Sequence, residues 1–176
     1  FLPAACAALA LTGVLARPAA AQLDVQTAVV LDFGVYPGLD PNLGRKASDA
    51  LAVELQTSTA NDPVARQRVE VVPRQRVEQV MNDTTALTPP YTDIVQMRLA
   101  RATGASSIFS GRILSARVSD RQAARVTLEM MQFDPSMGAY SNGAVVSQSA
   151  VDKNGITDND LLLDEASNKA IYAGLL

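Results

Sequence analysis

The sequence has no histidine, no tryptophan and a single cysteine, and only four phenylalanines and four tyrosines in 176 residues. Each absence removes chemistry. Without histidine the commonest general base and the commonest metal ligand are missing, so Ser-His-Asp and Cys-His arrangements cannot be assembled. No Ser-x-x-Lys replaces them. Zinc lacks its usual ligands, because the lone Cys6 lies in the apolar leader. One thiol also forbids an internal disulfide framework, so the core must hold itself. The composition therefore argues against an enzyme and for no cofactor and no metal.

Long apolar runs are also scarce. The first sixteen residues carry no charge, which suits a secretory h-region better than a spanning helix of roughly 20 residues. Arg17-Pro18 ends the run, and Ala19-Ala20-Ala21 before Gln22 has the small-residue pattern of a signal-peptidase site. Residues 1–21 are read as a signal peptide or a retained anchor. If they are retained, Phe1, Leu2, Leu9, Leu11, Val14 and Leu15 are the side chains that enter the membrane. Leu2-Pro3-Ala4-Ala5-Cys6 only faintly matches a lipoprotein box, since Leu sits one position too far back. Residues 22–176 form one domain, expected on the periplasmic side of a bacterial inner membrane.

The net charge is only −3, but it is segregated: positions 66–125 hold ten arginines against five acidic residues, between two acidic ends. Arginine favours bidentate pairing with carboxylates or phosphates, so an acidic partner surface is one reading and internal pairing the other. Export and an acidic total argue against nucleic acid.

Periodicity and punctuation give the element order. Gln26–Phe33 is a β-branched apolar run, a buried strand. Pro37–Gly44 is a loop, and Leu43, Ala47, Ala50, Leu51 and Leu55 then recur at helical spacing to Gln56. Asn61-Asp62-Pro63 turns into a strand at 68–72. Pro73 opens a helix over 74–82. The pentapeptide RQRVE stands at 66–70 and again at 74–78, the first copy read as entering a strand and the second as helix. Thr88-Pro89-Pro90 is a break, Thr92 or Asp93 caps a helix through Ala102, and Gly104 stops it. Strand-like runs follow at 106–118, 124–133 and 139–151, joined by turns of hairpin length. Asp158 or Asp160 caps a last helix with Leu163, Ala166, Ala170 and Ala173 on one face. The order β-α-β-α-α-β-β-β-α predicts an α/β fold of α+β character: a mixed sheet of about five strands flanked by about four helices, with a parallel first crossover and a final meander.

Two further motifs fail. Asp152, Asn154, Asp158, Asp160 and Asp164 do not follow a calcium-loop spacing, because Ile156, Thr157 and Leu163 occupy required positions. Gly34-x-x-x-Gly38 lacks the Gly-Lys-Ser/Thr ending of a phosphate loop.

AVVLDF at 28–33, GRKASDALAVELQ at 44–56, RVEVVPRQRVEQVM at 68–81, LARATGASSIFSGRI at 99–113 and ARVTLEMMQFDPSMGAY at 124–140, in this order, resemble the periplasmic α/β domain shared by the curli-secretion protein CsgG and the penicillin-binding-protein activator LpoB. The resemblance spans nearly all of 26–173 and implies a non-enzymatic envelope protein that docks on other proteins. The chain departs from that pattern in its displaced lipobox, in lacking extra hairpins for a transmembrane barrel, and in lacking a long tether.

The functional expectation is an exported accessory or scaffold subunit that stabilises a larger inner-membrane complex, a photosynthetic reaction centre with its antenna being one such partner. The alternatives are an activator of a cell-wall synthase and a component of an envelope secretion or assembly system. Protein subunits are the expected partners, with membrane contact through the N-terminal segment and no small-molecule substrate. Arg66, Arg68, Arg74 and Arg76 are the candidate partner contacts.

Overall fold

The structure, a computed structural model, describes residues 24–61, 67–82, 88–119, 123–152 and 158–175. Ten elements follow in order: β1 Asp24–Val30, β2 Gly34–Val35, α1 Asn42–Asn61, β3 Gln67–Val71, α2 Arg74–Asn82, α3 Asp93–Thr103, β4 Ser107–Ser119, β5 Ala123–Asp134, β6 Ala139–Val151 and α4 Asn159–Leu175. They form one six-stranded mixed sheet ordered β3-β1-β4-β5-β6, with the two-residue β2 alongside β4. β1 is parallel to β3 and to β4, and β4, β5 and β6 form an antiparallel meander. The predicted order, the parallel first crossover and the meander all stand, and β2 is the addition.

Helices cover both faces because the two crossovers run in opposite directions along the sheet, through α1 out to β3 and through α2 and α3 from β3 back past β1 to β4. One core cluster joins Leu43, Ala47, Leu51 and Leu55 of α1 and Leu162, Ala166, Ala170 and Ile171 of α4 to Ile113, Val126 and Leu128 of the meander. On the other face, Val77 and Met81 of α2 and Leu99 and Ala100 of α3 pack on Val29, Leu31, Ile108 and Phe133. Burying each such aliphatic side chain is worth about 1.5–3 kcal/mol relative to leaving it exposed.

The run read as one strand over 26–33 is broken. β1 stops at Val30, and Leu31 still donates its N–H to the Phe109 carbonyl at 2.8 Å. Side-chain parity explains the break. Val29 and Leu31 lie in the α2/α3 core, yet Phe33, two residues on, lies in the α1/α4 core. A continuous strand would keep all three on one face, so the pleat must be interrupted. Phe33 then lies over Gly111 of β4, where an added Cβ would come 2.6 Å from the Phe33 ring and 2.4 Å from the Glu129 carbonyl oxygen.

The two RQRVE copies adopt different structures. The first contributes Gln67–Glu70 to β3, while the second, placed directly after Pro73, lies within α2, where the Pro73 carbonyl accepts from the N–H of Arg76 and Val77. α3 begins with Thr92, whose hydroxyl accepts from Val95 N–H, and stops at Gly104, whose φ of +74° is left-handed. α4 buries Leu162, Ala166, Ser167, Ala170 and Ile171. Ala166 and Ala170 of the expected face are buried, but Leu162 and Ile171 flank them in the core in place of Leu163 and Ala173, which are only partly covered.

Candidate docking surface

Among the described residues no three His, Cys, Asp or Glu side chains are close enough to hold a metal ion. The best-organised polar cluster is structural in geometry. Arg74, at the start of α2, pairs with Asp32 after β1 through Nη1, with Asp49 of α1 through Nη2 at 2.6 Å and Nε at 3.1 Å, and with the Ser48 hydroxyl at 2.9 Å. The single hydrogen of the Ser48 hydroxyl has two acceptors within reach, the Arg45 carbonyl at 2.8 Å and Asp32 at 3.1 Å. Burial lowers the guanidinium's proton affinity, but the hydrogen bonds to the two aspartates outweigh it and the net pKa is raised. Asp32 and Arg74 of this cluster line a cavity of about 220 Å³ together with Val77, Glu78, Met81 and Tyr91. Burial, and after it the nearby Asp32 charge, pushes the Tyr91 phenol up to about 12. Arg74 thus engages both aspartates of the clamp, while Glu78, on the same cavity wall, is outside it.

The four expected arginines are therefore not equivalent. Arg74 is the partly buried clamp, whereas Arg68 on β3 and Arg76 on α2 are exposed. Arg66 lies outside the described residues, as do Phe1, Leu2, Leu9, Leu11, Val14 and Leu15. No helix among the described residues is long and apolar enough to cross a membrane. The acidic stretch before α4 acts as a cap: Asp158 accepts from Asp160 N–H through its side chain and from Leu162 N–H through its carbonyl. Asp164 binds Lys46 at 3.0 Å, tying α4 to α1; the hydrogen bond to Asp164 raises the Lys46 pKa.

The sheet ends differently on its two sides. β3 is a five-residue edge carrying Arg68 and Glu70. β6 is a thirteen-residue edge, AYSNGAVVSQSAV, with no charged residue. Its inner side pairs with β5 along almost its whole length. Its N–H groups alternate between β5 and the outside. Gly143 turns its N–H to the Asn142 side chain at 2.8 Å, so Val145, Ser147 and Ser149 share that outward parity.

α2 and α3 cover only the lower part of the second face, where Phe133 meets Tyr140 edge-on and Tyr140 Oη accepts from Gln96 at 2.7 Å. Beyond that the meander carries a polar surface of cross-strand contacts. Arg112 pairs with Glu129 at 2.9 Å, Thr127 donates to Ser147 at 3.0 Å, and Arg125 Nε donates to the Ser149 hydroxyl at 3.2 Å. Arg117 stands directly opposite Arg125 in the register. The sequence reading missed this surface. One usable signal was present: an uncharged run of strand length at 139–151. The Arg117–Arg125 juxtaposition had no local signal, because it depends on register.

No protein-family model and no curated protein matches the chain. Its fold does match solved structures. A point variant of the PelC dodecamer from Paraburkholderia phytofirmans aligns over 85% of each chain at 18% identity, with a TM-score of 0.54. The lipoprotein GNA1162 from Neisseria meningitidis aligns over 78% of this chain and 90% of its own at 14% identity, TM-score 0.53. The LpoB C-terminal domain from Escherichia coli aligns over 69% and 81% at 15% identity, TM-score 0.45. At these identities the likeness is one of fold.

Proposed function

We propose that the chain is a non-catalytic accessory protein of the bacterial envelope that docks on another protein, and that β6 is its docking edge. The observation that carries this reading is the contrast between the two sheet edges. Natural sheets protect a long edge with charges, prolines or bulges, because unpaired N–H and C=O groups recruit further strands. β3 has that protection in Arg68, Glu70 and its short length. β6 runs for thirteen residues without a charge or a proline, and its one register irregularity, at Ser141, lies near its start. An edge left open in this way fits strand addition by a partner. The solved lipoprotein of similar fold supports an envelope setting.

The reading is tested by proline substitution at neighbouring positions. Val145→Pro removes an outward N–H, and Val146→Pro removes one that faces β5. The first variant should keep the native fold yet lose its partner in a mild-detergent purification followed by mass spectrometry. The second should be destabilised. A folded Val145→Pro variant that retains the partner overturns the docking edge. The identity of the retained protein separates the finer readings: subunits of an inner-membrane complex, such as a photosynthetic one, a cell-wall synthase, or an envelope secretion component. PelC is a dodecamer, so a second copy of the chain is a further candidate partner, measured by light scattering. Arg68 and Arg76 remain the proposed charged contacts outside the edge.

A further inference from the structure

Resting on that reading of β6, we propose that the segment docking there is acidic and extended, with a carboxylate that meets Arg125 beside Ser149.

The argument begins with charge on the uncovered face of the meander. Strand parity places Arg112, Arg117, Arg125 and Glu129 there, together with the hydroxyls of Thr127, Ser147 and Ser149. Glu129 is occupied by Arg112. Arg117 and Arg125 are both exposed, face each other as direct register partners, and pair with no carboxylate among the described residues. Asp120 and Arg121, between β4 and β5 in the sequence, lie outside the described residues. Asp152, at the end of β6, has an interaction of its own. Like charges directly opposite on neighbouring strands oppose folding. An anion held by Arg125 offsets that repulsion.

Direction then selects the occupant. Arg125 does not extend straight from β5. Its Nε–H reaches across to the Ser149 hydroxyl, which brings the guanidinium over β6, next to the open edge. The remaining donors on that fork are presented where the side chain of an added strand would lie, and a planar fork suits a carboxylate. The added strand satisfies the outward N–H groups of β6 with its own carbonyls, which a lipid headgroup cannot do along a thirteen-residue edge. Main-chain pairing and charge therefore converge on one occupant, an extended acidic peptide segment of a partner protein.

The test uses the full chain and three synthetic ten-residue peptides: alternating Thr-Glu, alternating Thr-Gln, and Thr-Glu N-methylated on alternate residues. Binding is read by fluorescence anisotropy at low and moderate salt. The Thr-Glu peptide should bind about tenfold more tightly than Thr-Gln, the scale of one charge-assisted hydrogen bond. That preference should fall with salt and disappear in the Arg117→Gln/Arg125→Gln double variant, while its circular dichroism stays native. Equal binding of the Glu and Gln peptides, with loss on N-methylation, overturns the acidic occupant and leaves the docking edge intact. Binding unaffected by N-methylation, or no peptide binding at all, overturns both. Arginine-dependent binding to phosphatidylglycerol vesicles without peptide binding assigns the face to lipid and also overturns the proposal.

Discussion

Arg74 and Asp49 meet through two nitrogens of one guanidinium and a single carboxylate oxygen, at 3.1 and 2.6 Å, and so fix the first turn of α2 against α1. The same guanidinium holds Asp32, the residue at which the first strand breaks. Helices on opposite faces of the sheet are thus joined around its end by one side chain.

Arg74→Gln should lower stability by about 1–2 kcal/mol in urea unfolding, the scale of a partly exposed charged network rather than a buried one. Asp49→Asn should cost less, because Asp32 remains paired. For a partner-binding experiment Arg74 is accordingly a poor choice. The exposed pair Arg68→Glu/Arg76→Glu should leave the urea midpoint within error and, if those residues touch the partner, weaken its retention at low salt.

Tyr91 gives the protein an alkaline limit. Its folded-state pKa is raised to about 12, so between about pH 10 and 12 the unfolded chain releases a proton that the folded chain keeps. Stability is complete below that window and declines as pH rises through it. Spectrophotometric titration should show a phenol ionising at about pH 12 that the Tyr91→Phe variant lacks. Tyr91→Phe should flatten the alkaline fall in the thermal midpoint.

Strand glycines separate tight from open positions. Gly111→Ala drives a methyl toward the Glu129 carbonyl and the Phe33 ring and should cost about 3 kcal/mol, at the upper end for overpacking. Gly143→Ala meets its nearest atom at 3.5 Å and should change stability by less than about 1 kcal/mol. Thermal unfolding of the two variants side by side checks the contrast.

The last helix offers a test of which face is buried. Leu162 is fully buried and Leu163 only partly. Leu162→Ala should cost about 2–5 kcal/mol, and Leu163→Ala distinctly less.

Those leucines also show where a sequence stops being legible. Three consecutive leucines and several alanines make a helical face ambiguous by one position, and only the sheet beneath decides which leucine is inside. The RQRVE copies were readable because proline acts locally: Pro73 at the head of the second copy is enough to start a helix. Val126, Leu128 and Met130, buried on the inward side of β5, alternate along the chain for a local reason too, since the period belongs to the strand itself. By contrast, the break at Asp32 depends on which core receives Phe33. The partners of Arg74 lie 25 and 42 residues away. No local pattern reports either. The candidate surface divides the same way: the uncharged run was open to view in the letters, while Arg117 facing Arg125 required the β4–β5 register.

The unequal edges also bear on assembly size. A chain whose two sheet edges both accept strands can link its own copies into a row. With β3 short and charged, a chain that docks through β6 in the way proposed above is paired on one side only. It would then close one end of a continuous sheet, and any further growth would belong to the partner's strand.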